Sequence, residues 1–128
     1  MNFEFRIKMD NPLYSRSKQL AINIVKLYKI LSGEKGEYVL SKQILRSGTS
    51  IGANIREGKR PQSDADFVSK MSIALKEAEE TLYWLEILYE TDYLNKAEYE
   101  MFYDKTEEIV KILVSVIRTK KNEMSNSQ

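Results

Sequence analysis

The chain has 128 residues, a net charge of +1, and neither Cys nor His. That length fits one domain with a core of its own. The composition excludes disulfide scaffolds, thiolate nucleophiles, Cys/His zinc sites and imidazole acid–base chemistry.

Residues 1–10, MNFEFRIKMD, alternate Phe3, Phe5, Ile7 and Met9 with Glu4, Arg6 and Lys8. That is strand periodicity, and one strand alone is not stable. These residues are read as an N-terminal arm, either frayed or packed on a neighbouring subunit. The segment lacks the apolar stretch of a signal peptide. No apolar run approaches the ~18 residues of a membrane span. A soluble cytoplasmic protein is expected, and a bacterial source fits.

Residues 11–121 read as four helices. Asn11 and Pro12 are a favourable cap and first position for a helix to about Ser32. Leu13, Leu20, Ile24, Leu27 and Leu31 form its apolar stripe, and Gly33 and Gly36 supply stop and turn. A second helix is expected over about Glu37–Lys59, with Leu40, Ile44, Ser47/Gly48, Ile51 and Ile55 on one face. Gly58 ends it and Pro61 prevents its continuation. Ser63 with Asp66 caps a third helix to about Glu90. Its seam runs Phe67, Met71, Ala74, Ala78, Leu82, Leu85 and Leu88/Tyr89, widened by Ile73, Trp84 and Ile87. Asn95 with Glu98 repeats the capping pattern. The fourth helix carries Phe102, Ile109, Ile112, Leu113, Val116 and Ile117 and ends at Arg118–Lys121. Residues 122–128 are polar and read as a disordered tail. The short connections predict an all-α, up-down-up-down four-helix bundle.

Charge is unevenly placed. Residues 1–62 carry 12 Lys/Arg against 5 Asp/Glu, residues 63–104 carry 3 against 11, and residues 105–128 carry 5 against 3. The asymmetry complements itself within the bundle, complements itself between subunits, or leaves a basic face for a polyanion.

The block Arg46–Gly58 departs from ordinary amphipathic helix. Gly48 and Gly52 lie one turn apart on one face, although an interior Gly costs about 1 kcal/mol relative to Ala. Close approach of another helix would compensate. Ser50, Asn54 and Glu57 align along a second strip, for which Arg46, Glu77 and Glu80 are candidate partners. The strip reads as a satisfied polar seam or as a groove for a partner. Arg56, Lys59 and Arg60 gather at the helix end, and with Arg46 they are the candidate phosphate contacts. Aromatic side chains for base stacking are not interleaved there. Glu57, Glu77, Glu80 and Asp66 without His make a poor metal set. Ser47 and Ser50 lack the strained turn and oxyanion donors of a nucleophile. No cofactor fingerprint occurs, and a non-enzymatic protein is expected.

Three stretches also carry a resemblance. They are Arg46–Gly58 (RSGTSIGANIREG), Asp66-Phe67 leading into Met71–Leu75, and Lys76–Thr81 followed by Tyr83-Trp84-Leu85. Together with their helices they cover nearly the whole chain. They resemble the bacterial four-helix-bundle proteins encoded in intervening sequences of 23S rRNA genes, also labelled S23 ribosomal proteins. The resemblance implies a left-handed bundle and assembly into a ring, commonly a homopentamer. It extends to retroelement accessory variability proteins, which bind nucleic acid and a reverse transcriptase. Those are pentameric, basic bundles, and this chain is nearly neutral overall. The expected function is a self-assembling scaffold for RNA or a nucleoprotein, and the alternative is a protein–protein adaptor with no nucleic-acid role.

Overall fold

The computed structural model describes residues 13–127. The arm at 1–10 and the Asn11-Pro12 start lie outside the described residues.

Helix α1 spans Ser15–Lys29, and its buried side chains Ser17, Leu20, Ile24 and Leu27 recur at helical spacing. It continues into a π-helical turn, Ile30–Glu34, that buries Leu31. The expected end at Ser32 therefore falls inside a widened turn. Gly36 reverses the chain with φ +66°, and the Glu37 N–H reaches back to Leu31 O at 2.8 Å.

Helix α2, Leu40–Gly58, starts later than the expected Glu37. Glu37 is instead its cap: the carboxylate accepts the N–H groups of Val39, Leu40 and Ser41 at 3.2, 3.0 and 2.7 Å. Burial pushes this carboxyl upward, but the three N–H bonds outweigh burial and hold it below the ordinary carboxylate range. Its stabilising contribution is present above the unfolded pKa of about 4.3 and is lost as pH falls through the lower folded value. Glu37→Ala is expected to cost about 1 kcal/mol at neutral pH. In urea unfolding, that difference from wild type should shrink toward pH 3. A difference unchanged at pH 3 would mean that the carboxylate is not the cap.

Helix α3, Asp64–Glu90, begins as expected, with Ser63 Oγ accepting the Asp66 N–H at 3.0 Å. The Asp66 carboxylate bonds the Gln62 N–H at 3.1 Å rather than that of Ser63. Phe67, Met71, Ala74, Ala78, Leu82, Leu85 and Leu88 form its buried seam. Trp84 packs against the core, whereas Ile73 stays exposed.

Helix α4, Lys96–Asn126, opens with a full capping box between Asn95 and Glu98. Residues 122–126, expected in a disordered tail, continue this helix. No Gly or Pro stops it there, and Lys120 pairs with Glu123 one turn on at 3.5 Å.

Each helix packs on the next, and α4 closes back on α1 with a looser contact. The connections are residues 35–39, 59–63 and 91–95. One core of Leu, Ile, Phe and Met from all four helices fills the interior. Stacked Tyr89 and Tyr99, 4.4 Å between ring centroids, tie α3 to α4 nearer the surface. Among the described residues no helix is long and apolar enough to cross a membrane.

Candidate functional site

Two edges of α2 do different work. Gly48 and Gly52 face α1: a Cβ on Gly48 would meet Ile24, and one on Gly52 would meet Ser17. The helix that comes close is therefore α1. The adjacent edge faces α3 through Ser47, whose hydroxyl lies 2.9 Å from that of Thr81. Both residues are fully buried, and the Thr81 hydroxyl also reaches Glu77 O at 2.8 Å. A buried hydroxyl pair of this kind is satisfied packing.

Ser50 and Asn54 turn onto their own helix. Ser50 Oγ donates to Arg46 O at 2.6 Å, and Asn54 Nδ2 donates to Ser50 O at 2.9 Å. Such back-bonding occupies donors that a partner would need. Arg46 reaches across to α3, bonding Glu77 at 3.4 Å and also Glu80. Glu57 sits apart from these carboxylates and faces Lys70 of α3 at 3.7 Å. The expected strip is thus divided into a backbone-satisfied stretch, an Arg46 cluster and an isolated Glu57.

The basic set divides as well. Arg46 precedes Arg56 by ten positions, about 15 Å along the helix axis. It does not join Arg56, Lys59 and Arg60 because the antiparallel register sets it against the acidic stretch of α3. The other three gather where α2 ends. Gly58 lets that end rest on Met71 of α3, where any Cβ would collide with the thioether methyl.

The start of α1 supplies two groups that the sequence alone does not place here, its cap residue Tyr14 and Lys18 one turn on. Arg56 Nη1 donates to the Tyr14 hydroxyl at 3.3 Å. Lys59 Nζ lies 4.2 Å from the Tyr14 ring centroid, a cation–π distance. Tyr14 thereby holds two cations in place. Tyr14, Lys18, Arg56, Glu57, Lys59 and Arg60 line an open cleft of about 620 Å³. Of the described lining residues four are cations and one is a carboxylate, which already has Lys70 beside it. Among the described residues Lys18 and Arg60 have no ion-pair partner. The described side chains of the cleft offer N–H donors and positive charge, which is chemistry for holding an anion.

The comparisons with known proteins agree with this architecture. No functionally curated protein matches the chain significantly. Among solved structures it is similar to a crystal structure, at 1.70 Å resolution, of a protein from Bacteroides thetaiotaomicron VPI-5482. That protein is described as one of unknown function from the S23 ribosomal protein family. The TM-score is 0.84 at 54% identity, over 86% of this chain and 98% of that one. Residues 9–115 match the model of the 23S rRNA-intervening sequence proteins. With the four-helix architecture and a match over most of its length, the chain belongs to the 23S rRNA-intervening sequence protein family.

Proposed function

We propose that this protein is a non-enzymatic scaffold that assembles with copies of itself into a ring and presents the α1–α2 cleft to RNA or a nucleoprotein. The observation that carries this reading is the four-to-one excess of cations over carboxylates among the described residues of the cleft, where Lys18 and Arg60 have no ion-pair partner. A family named for its place in 23S rRNA genes is consistent with an RNA partner. One shallow cleft binds weakly, and a ring repeats it once per subunit, so that avidity raises the affinity. The lack of His and Cys, together with a Ser47 hydroxyl committed to the core, supports the non-enzymatic part.

The test is titration of a structured RNA by fluorescence anisotropy across a salt series, with light scattering to report assembly. If four cations contact single-stranded phosphates, the slope of log affinity against log salt is roughly −3 per cleft. Arg56→Glu/Arg60→Glu should weaken binding at least about tenfold and flatten the slope by about 1.4, since two contacts are lost. No salt-sensitive affinity at low ionic strength, or an unchanged affinity in the double variant, would overturn the reading. A monomer at all concentrations would overturn the ring.

A further inference from the structure

We infer that the groove between α3 and α4 around Val114 is a docking site for an acidic amphipathic helix of a partner protein. This surface is distinct from the cationic cleft. It is a shallow groove of about 320 Å³ lined by Leu75 of α3 and by Val114, Ile117, Arg118, Lys121 and Asn122 of α4.

On α4, Val114, Ile117, Arg118 and Lys121 stand at i, i+3, i+4 and i+7, a single helical face. That face is about 10 Å long, close to two turns. Its floor is apolar. Leu75 is half-buried, Ile117 nearly covered, and Val114 remains 38% exposed. Its rim is cationic. Arg118 and Lys121 are exposed and have no ion-pair partner among the described residues. The contrast with the preceding residue is informative, because Lys120 turns inward and bonds Asp64 at 2.9 Å.

An apolar floor between two helices, edged by free cations, fits a third helix. Its ridge of apolar side chains would enter the groove, and its flanking carboxylates would meet Arg118 and Lys121. Charge complementarity selects an acidic helix. Among the described residues a nucleic acid would find no aromatic platform on this floor and only two cations. A bilayer favours apolar side chains that project from a helix face, and these lie in a depression beneath charged rims.

The probe is a labelled synthetic helix with Leu at i, i+3 or i+4, and i+7, flanked by Glu, titrated against the full chain. The same Leu pattern flanked by Lys is the control. The Glu helix should bind and the Lys helix should not. Val114→Glu should lower affinity at least about tenfold, as expected for a central apolar contact. If Val114→Glu fails to fold by circular dichroism, Arg118→Glu/Lys121→Glu, both at exposed positions, carries the test with the same expected loss. Arg56→Glu/Arg60→Glu should bind the helix like wild type, which separates this groove from the cleft. Four results overturn the inference. They are equal binding of both helices, loss only in the cleft variant, binding to phosphatidylglycerol vesicles but not to the helix, and loss of self-association by Val114→Glu with no helix binding. In the last case the groove is an interface between copies of this chain.

Discussion

Gly48→Ala is expected to destabilise the protein, although alanine is the better helix former. A Cβ at position 48 would lie 2.9 Å from both Cγ1 and Cγ2 of Ile24 and 3.3 Å from its Cβ. Ile24 is fully buried, and a β-branched side chain in a helix has one strongly preferred rotamer. The collision therefore moves the helix or strains the side chain. Overpacking of this kind costs about 1–3 kcal/mol, against a gain of about 1 kcal/mol from replacing an interior Gly. Gly48→Val adds two methyl groups to the same collision, and a loss of about 3 kcal/mol is expected. Gly52 is the internal control. There a Cβ would meet Ser17 Oγ at 3.4 Å and its backbone at 3.5 Å, near ordinary contact. Gly52→Ala should be neutral or stabilising by up to about 1 kcal/mol. Urea unfolding compares the three variants. Equal stability of Gly48→Ala and Gly52→Ala would remove the close α1–α2 approach as the reason for the glycines. A cycle with Ile24→Ala sharpens the test, since contacting residues should show a coupling of roughly 0.5–3 kcal/mol.

The glycine pair was legible in the sequence because spacing alone puts residues 48 and 52 on one face. The partner helix was not, since periodicity describes one helix at a time. The same limit explains the site. Arg56, Lys59 and Arg60 are near neighbours in the chain, so their patch could be read directly. Tyr14 and Lys18 join it from 42 and 38 positions upstream of Arg56. Only the pivot of the α1–α2 hairpin near Gly36 could have found them, because it sets Tyr14 opposite the end of α2. Capping was readable where a polar residue precedes the helix at fixed spacing, as at Ser63/Asp66 and Asn95/Glu98. It differs at Glu37, expected as the first residue of the helix, whose carboxylate instead reaches forward from outside it to the N–H groups of the first turn. The sequence has no local signature for that choice. The π turn at Ile30–Glu34 likewise depends on keeping Leu31 in the core while the chain turns at Gly36.

Part of the uneven charge is resolved within one subunit. Arg46 meets Glu77 and Glu80, and Lys70 meets Glu57, so α2 and α3 exchange charge in both directions. These contacts are largely exposed and each stabilises little. Their consequence is selective exposure. They engage Arg46 with α3, away from the cleft, while Lys18, Arg56 and Arg60 stay exposed on it.

Removing Asp64 is expected to harm the protein more than removing its partner Lys120. The two form a 2.9 Å ion pair between the start of α3 and the last turns of α4. Burial is lopsided, with side-chain exposures of 9% for Lys120 and 61% for Asp64. Asp64→Asn leaves a covered ammonium with less compensation, Glu123 remaining at 3.5 Å. A loss of about 2 kcal/mol is expected, below the value for a pair buried on both sides because Asp64 meets water. Lys120→Met keeps the stem packing and removes the charge. It leaves Asp64 solvated at a helix N-terminus, where the dipole favours an anion. That variant should stay within about 1 kcal/mol of wild type. The hydrogen bond to Asp64 holds the Lys120 ammonium above its ordinary pKa, with burial opposing and losing. A raised pKa contributes stability that is complete below the unfolded value of about 10.4 and is lost as pH rises through the folded value. The contribution of this ammonium, read as wild type minus Lys120→Met, should therefore hold steady from pH 7 to about 10 and decline above it. Tyr99 and Tyr103, also raised, first by burial and then by Glu86 among other neighbours, weaken both proteins alike over that range and cancel in the difference. Urea unfolding of the three proteins at pH 7, 9 and 11 decides the matter. Equal losses for Asp64→Asn and Lys120→Met at pH 7 would show that the pair acts as a surface contact rather than as cover for a buried charge.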